Sequence, residues 1–161
     1  MFKWLFNKNS KTNDNPIDDK DSLLFKIKDE DSFIHRASKK ILVINDNVLG
    51  AKLLSALLEE HGCDTHHISD GHKALDVAYE FQPDLIVVDI QSRNISAFDV
   101  IQNIRTNLTF KDTPIILFSN PSITTDDKRW RDGSCDAYIT QPMDVSLFLE
   151  TIRQILWEYT K

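Results

Sequence analysis

From Lys39 onward, short apolar runs alternate with longer amphipathic stretches. Ile41-Leu42-Val43-Ile44 is continuous and rich in β-branched residues, and it ends in Asn45-Asp46-Asn47, the pattern of a strand buried on both faces. Leu49, Leu53, Leu54, Leu57 and Leu58 then recur at helical spacing until His61-Gly62 stops the helix. The next unit repeats the theme, with a strand from Cys63 to Ile68, a cap at Ser69-Asp70-Gly71, and a helix through Ala74, Leu75, Ala78 and Tyr79 to Pro83. Leu85-Ile86-Val87-Val88 runs into Asp89, followed by a polar loop and a helix through Phe98, Ile101, Ile104 and Leu108. Ile115-Ile116-Leu117-Phe118 runs into Ser119, and Ala137-Tyr138-Ile139-Thr140 runs into Gln141-Pro142. A last amphipathic helix carries Leu147, Phe148, Ile152, Ile155, Leu156 and Tyr159.

Five strand-plus-helix units in about 120 residues predict an α/β fold, a parallel sheet with helices on both faces. Such a sheet puts its reactive crevice at the carboxyl ends of the strands. The residues at those ends are Asp46, Asp89, Ser119 and Gln141, so two acids, a hydroxyl and an amide are expected to converge. Singly, Asp46 and Asn47 read as helix caps and Asp89 as a strand-end acid. Jointly, at the ends of four strands, they read as one pocket.

The pattern divides the chain near Ser38, into an N-terminal extension (1–38) and a domain (39–161). Asn7 to Ser22 is almost wholly Asn, Asp, Lys, Ser and Thr, too polar to offset its ordering entropy by burial, and reads as a flexible tail. Leu23-Leu24-Phe25-Lys26-Ile27 and Phe33-Ile34 read as a lead-in packing loosely on the domain, with a short docking helix as the alternative. Lys3, Lys8 and Lys11 beside Phe2, Trp4, Leu5 and Phe6 span only about one and a half helical turns and read as a disordered tip, with an interfacial membrane contact as the alternative.

Composition narrows the function classes. No apolar run approaches the roughly 18 to 20 residues of a membrane-spanning helix, and Met1 to Phe6 lacks the core and cleavage site of a signal peptide. A cytoplasmic location is expected. Cys63 and Cys135 cannot make a disulfide framework and read as reduced thiols. His61, His66, His67 and His72 lack metal-ligand spacing and read as surface or strand histidines. Residues 1–38 carry seven basic and seven acidic side chains, which leaves twelve basic and eighteen acidic in 39–161. The whole net charge of -6 belongs to the domain, which argues against nucleic acid as a partner.

The segments ILVINDN (41–47), LLSALLEEHG (53–62), SDGHKALD (69–76), PDLIVVDIQ (83–91), TPIILFS (113–119) and DAYITQP (136–142) stand in the order and nearly the spacing of a known family. The domain resembles the receiver domain of bacterial two-component response regulators, especially the stand-alone, cell-cycle type. The resemblance implies a flavodoxin-like doubly wound sheet of order 2-1-3-4-5 with five helices on its two faces. It also implies a cis bond between Gln141 and Pro142.

In that family an aspartate after the third strand accepts a phosphoryl group from a histidine kinase, with a magnesium ion held by acids after the first. By position, Asp89 matches the phosphoacceptor, Asp46 the direct metal ligand and the Gln91 main-chain carbonyl the third protein ligand. Ser119 matches the hydroxyl that closes on the phosphoryl group, and Tyr138 the switch aromatic. Two residues depart from the pattern: Asn45 stands in an acid position, where it can orient a metal-bound water but adds no charge, and Gln141 stands in the lysine position. The loop from Ser92 to Ala97 lacks the usual proline and glycine, bulky Asn120 follows Ser119, and the helix expected between Ile123 and Gly133 is short and polar with Trp130 at a usually small site.

The resulting expectation is a non-enzymatic, atypical receiver with weak magnesium binding, acting mainly as a protein interaction module. Its expected partners are a histidine kinase, a phosphotransfer protein or another regulator, with a homodimer through the family's fourth and fifth helices as a further option. The alternative is a working single-domain response regulator or phosphate sink, phosphorylated on Asp89 with magnesium. The chain ends at Lys161, directly after the last helix, so no output domain is expected.

Overall fold

The computed structural model describes residues 38–89, 96–119 and 134–158. In chain order these form β1 (Lys40–Ile44), α1 (Val48–Glu60), β2 (Asp64–Ile68), a 3-10 turn (Gly71–Lys73), α2 (Ala74–Phe81), β3 (Leu85–Asp89), α3 (Ala97–Thr106), β4 (Ile115–Ser119), β5 (Ala137–Thr140) and α4 (Val145–Glu158). The five strands pair in parallel in the order β2-β1-β3-β4-β5, as the resemblance implies. Four α-helices lie among the described residues. The fifth expected helix, between Ile123 and Gly133, lies outside them, together with the N-terminal extension up to residue 37, Gln91, Asn120, Trp130 and Tyr159.

The three central strands are apolar on both sides because both sides are covered. Ile41 and Val43 enter one core layer with Leu54 and Leu58 of α1 and Phe148, Ile152 and Ile155 of α4. Leu42 and Ile44 enter the other with Ala74 and Ala78 of α2 and Val100, Ile101 and Ile104 of α3. The edge strand β2, Asp-Thr-His-His-Ile, needs no such cover and is partly exposed throughout.

Helix boundaries follow local side-chain chemistry. Asn47 caps α1, its Oδ1 accepting from the Gly50 N–H at 3.1 Å, and His61 followed by Gly62 at φ 83° ends it. Asp70 caps the 3-10 turn rather than the α-helix itself, accepting from the His72 N–H at 3.0 Å, so α2 starts only at Ala74. Gln82, in the left-handed region at φ 54°, closes α2 ahead of Pro83.

One boundary corrects the sequence expectation. The third helix does not reach Leu108; it ends at Thr106. Asn107 turns the chain out of the helix, its Oδ1 accepting from the N–H groups of Thr109 (3.0 Å) and Phe110 (3.3 Å), so that Leu108 sits on the turn, 86% exposed.

A long-range tie holds the entry side of the sheet. Arg105 of α3 donates to the carbonyls of Ser134 (Nε, 3.0 Å), Lys111 (Nη1, 3.0 Å) and Thr113 (Nη1, 2.6 Å), and its Nη2 meets Asp136 Oδ2 at 2.9 Å. The same Asp136 oxygen accepts from the Ile115 N–H at 2.8 Å, so one partly buried ion pair fastens α3 to the entries of both β4 and β5.

Arg105→Ala is therefore expected to lower unfolding stability by about 2–4 kcal/mol, since it removes the ion pair to Asp136 and the donors to three carbonyls, and Arg105→Lys to recover less than half, lacking the fork of donors. Urea unfolding midpoints measure both. The thiols give a second expected outcome. Burial pushes Cys63 up to about 11 and Cys135 up to about 12. At pH 8 an ordinary thiol is roughly a quarter ionised, whereas these two are ionised about one part in a thousand or less. Iodoacetamide should leave both unmodified in the folded protein and alkylate both in urea, as read by intact mass.

Candidate functional site

The register of the sheet brings the predicted residues to one end. Ile44 pairs with Val88, Asp89 with Phe118, and Ser119 with Thr140, so β1, β3, β4 and β5 finish side by side. Asp46, exposed in the bend after β1, and Asp89, the half-buried last residue of β3, line one shallow cleft. Asn45, Ser69 and Gly71 line it as well, with Val88, Ala97 and Val100 as its apolar wall. Asn47 serves as the cap of α1, which leaves Asp46 to the cleft.

Gln141 is brought to the acid as its position in sequence implies. Its Nε2 donates to Asp89 Oδ2 across 3.5 Å, a long and therefore weak hydrogen bond from a neutral amide. The Gln141-Pro142 bond is cis, as expected. Ser119 ends β4 at the same edge of the sheet. Tyr138, opposite Leu117 in β5, keeps 41% of its surface exposed, and desolvation of the phenol, ahead of the neighbouring Cys135 thiol, pushes it up to about 12. Gln91 lies outside the described residues.

Asn45 behaves differently from a surface amide. It is 9% exposed and is held on several sides. Its main-chain N–H donates to the Ile68 carbonyl at 3.0 Å, and its side-chain Oδ1 accepts from the Asn47 N–H at 2.8 Å. Its own carbonyl accepts from Nε2 of His67 at 2.8 Å. The sequence marks His67 only as a strand histidine, because its partner is 22 positions away and the pairing exists only through the β1–β2 register.

Among the described residues no group of three or more His, Cys, Asp or Glu side chains could hold a metal ion. The cleft instead offers two carboxylates. That is a hard-oxygen donor set of the size magnesium takes, because magnesium keeps several waters and needs only one or two protein carboxylates.

Comparison with known proteins agrees with this geometry. Residues 41–153 match the response regulator receiver domain family. The polar-differentiation response regulator DivK of Brucella anthropi is 36% identical over 118 residues, covering 73% of this chain and 96% of that protein. Among solved structures, a response regulator from Chloroflexus aurantiacus superposes with a TM-score of 0.69 at 18% identity, over 74% of this chain and 98% of the other. The receiver domain of a sensor histidine kinase from Pseudomonas aeruginosa, solved with a magnesium ion in its active site cleft, gives 0.67 at 19% identity over 74% and 98%. The matched span runs from β1 into α4 and includes Asp46, Asp89 and Gln141, and the chain belongs to the response regulator receiver domain family of two-component signalling.

Proposed function

We propose that this protein is an atypical receiver that works mainly as a protein interaction module, with phosphorylation switching impaired. The observation that carries this reading is the contact at Asp89, where Gln141 offers a neutral amide at 3.5 Å in the position of the family's lysine. Phosphorylation would add about two negative charges at Asp89. A neutral amide on a phosphoryl oxygen is charge-assisted on the acceptor side alone, whereas the family's lysine would be charged as well, so the phosphorylated state loses on the order of tenfold in stabilisation.

Metal binding is affected less. The family pocket, with three carboxylates and one lysine, carries -2, and Asp46 with Asp89 and no lysine carries the same. Asp46, Asp89 and the Gln91 carbonyl would hold a magnesium ion weakly, with Asn45 orienting a bound water. Such an ion, when bound, neutralises phosphoryl oxygens during in-line transfer. Asp89 then supplies the accepting oxygen and Gln141 only orients it. The two carboxylates in one cleft are what favours the second reading, a working single-domain regulator or phosphate sink.

Receiver domains interact with histidine kinases and phosphotransfer proteins, and this reading gives the chain a partner of that kind or another regulator. It also places the protein in the cytoplasm, with α4 as one element of a homodimer surface. Among the described residues no helix is long and apolar enough to cross a membrane.

Incubation with a small phosphodonor and magnesium, followed by intact-mass measurement, is expected to give little or no phosphoryl adduct. A stoichiometric adduct on Asp89 selects the second reading. Beryllofluoride, a phosphoryl mimic, is expected to change partner affinity less than twofold in the natural protein. In the double variant Asn45→Asp, Gln141→Lys the change should reach about tenfold, the ratio given by charged against neutral donors. The carboxylate that Asn45→Asp introduces has a place to go, since the Asn45 side chain already accepts from the Asn47 N–H and faces the N-terminus of α1, where negative charge is favoured.

A further inference from the structure

His67 is half-buried in the edge strand β2, beside Val43 in the register. Two residues beyond Val43 the main chain leaves β1 at Asn45, and the His67 ring nitrogen Nε2 lies 2.8 Å from the Asn45 carbonyl oxygen. A carbonyl only accepts, so the ring carries a hydrogen on Nε2 and donates it. From Asn45 the bonds continue into the helix: Asn45 Oδ1 accepts from the Asn47 N–H at 2.8 Å, and Asn47 Oδ1 accepts from the Gly50 N–H at 3.1 Å. The loop is packed down on that first turn. A Cβ at Gly50 would stand 3.5 Å from Asn47 Cγ and 3.6 Å from Asn45 Nδ2. Asp46 sits between the two asparagines so held, and it is itself exposed at the cleft.

We infer that His67 is a positioning residue for the acidic cleft: its ring latches the Asn45 carbonyl and fixes the loop that presents Asp46. A loop this short has few internal bonds to set its conformation, and an exposed carboxylate gains no orientation from packing. The edge strand supplies the orientation instead, through the Ile68 carbonyl, which accepts from the Asn45 N–H, and through the His67 ring donor on the Asn45 carbonyl. The latch rests on the geometry alone. Its consequence for a divalent ion rests on the proposed metal-facing role of Asp46.

Two substitutions in the full chain separate the latch from simple strand support. His67→Leu keeps an apolar body and removes the donor, whereas the side-chain amide of His67→Gln can reach the same carbonyl. Amide hydrogen exchange by NMR should be about fivefold to tenfold faster at Asn47 in His67→Leu, the effect of losing one ordinary hydrogen bond, with β3 and β4 amides unchanged. His67→Gln should restore natural protection. Titration with manganese, a paramagnetic stand-in for magnesium, should show weaker binding in His67→Leu and recovery in His67→Gln. Unchanged exchange at Asn47 in His67→Leu overturns the inference, and so does an equal loss of protection across β3 and β4. If the natural protein binds no manganese while His67→Leu still frees the Asn47 amide, the latch stands and the metal role of Asp46 falls.

Discussion

The parallel pairing of β1, β3 and β4, each buried on both faces, is the constraint from which the rest of the molecule follows. A parallel sheet cannot be closed by hairpins, so its connections cross a face, as α1, α2 and α3 do between the first four strands, and every strand runs in the same direction. All carboxyl ends therefore collect at one edge. Once Ile41 and Val43 are committed to the α1–α4 layer, and Leu42 and Ile44 to the α2–α3 layer, the register cannot slip by a residue without exchanging the two cores. Asp46, Asp89 and Gln141 are neighbours because that alternation is fixed.

Inside the resulting cleft the chemistry turns on formal charge. Asn45 and Gln141 keep the size and hydrogen-bonding reach of an acid and a lysine side chain closely enough for the architecture to persist. The loss of one negative and one positive charge leaves the net of the pocket unchanged, which bears on a divalent ion. On the proposed reading the phosphorylated state is the one affected, since Gln141 brings a neutral amide, not a cation, to Asp89.

The surroundings of the cleft are tied by long-range bonds of unequal kind. Arg105 fastens the entries of β4 and β5 through an ion pair and three carbonyls, at the end of the sheet away from the cleft. At the cleft end, the loop after β1 is held by the His67 ring on the Asn45 carbonyl and by the Asn47 N–H on Asn45 Oδ1. Charge-assisted bonds of the first kind are roughly twice as strong as neutral ones.

The sequence by itself determined the strands, their parallel arrangement and most helix limits. Those features are written in local periodicity and in caps such as Asn47, Asp70 and Gly62, which act within a few residues. It also put Asp46, Asp89, Ser119 and Gln141 at strand ends, and the segments that resemble the receiver family supplied the sheet order. Only the tertiary structure decided that Asn45 is buried and latched by His67, that Arg105 and Asp136 meet across 31 positions, and that Asn107 ends α3 before Leu108. The first two are pairings between elements distant in the chain, which no local pattern encodes because they exist only once the register is set. The third is a local contest, in which a helical apolar period pointed to Leu108 and the Asn107 side chain, by capturing two backbone N–H groups, won.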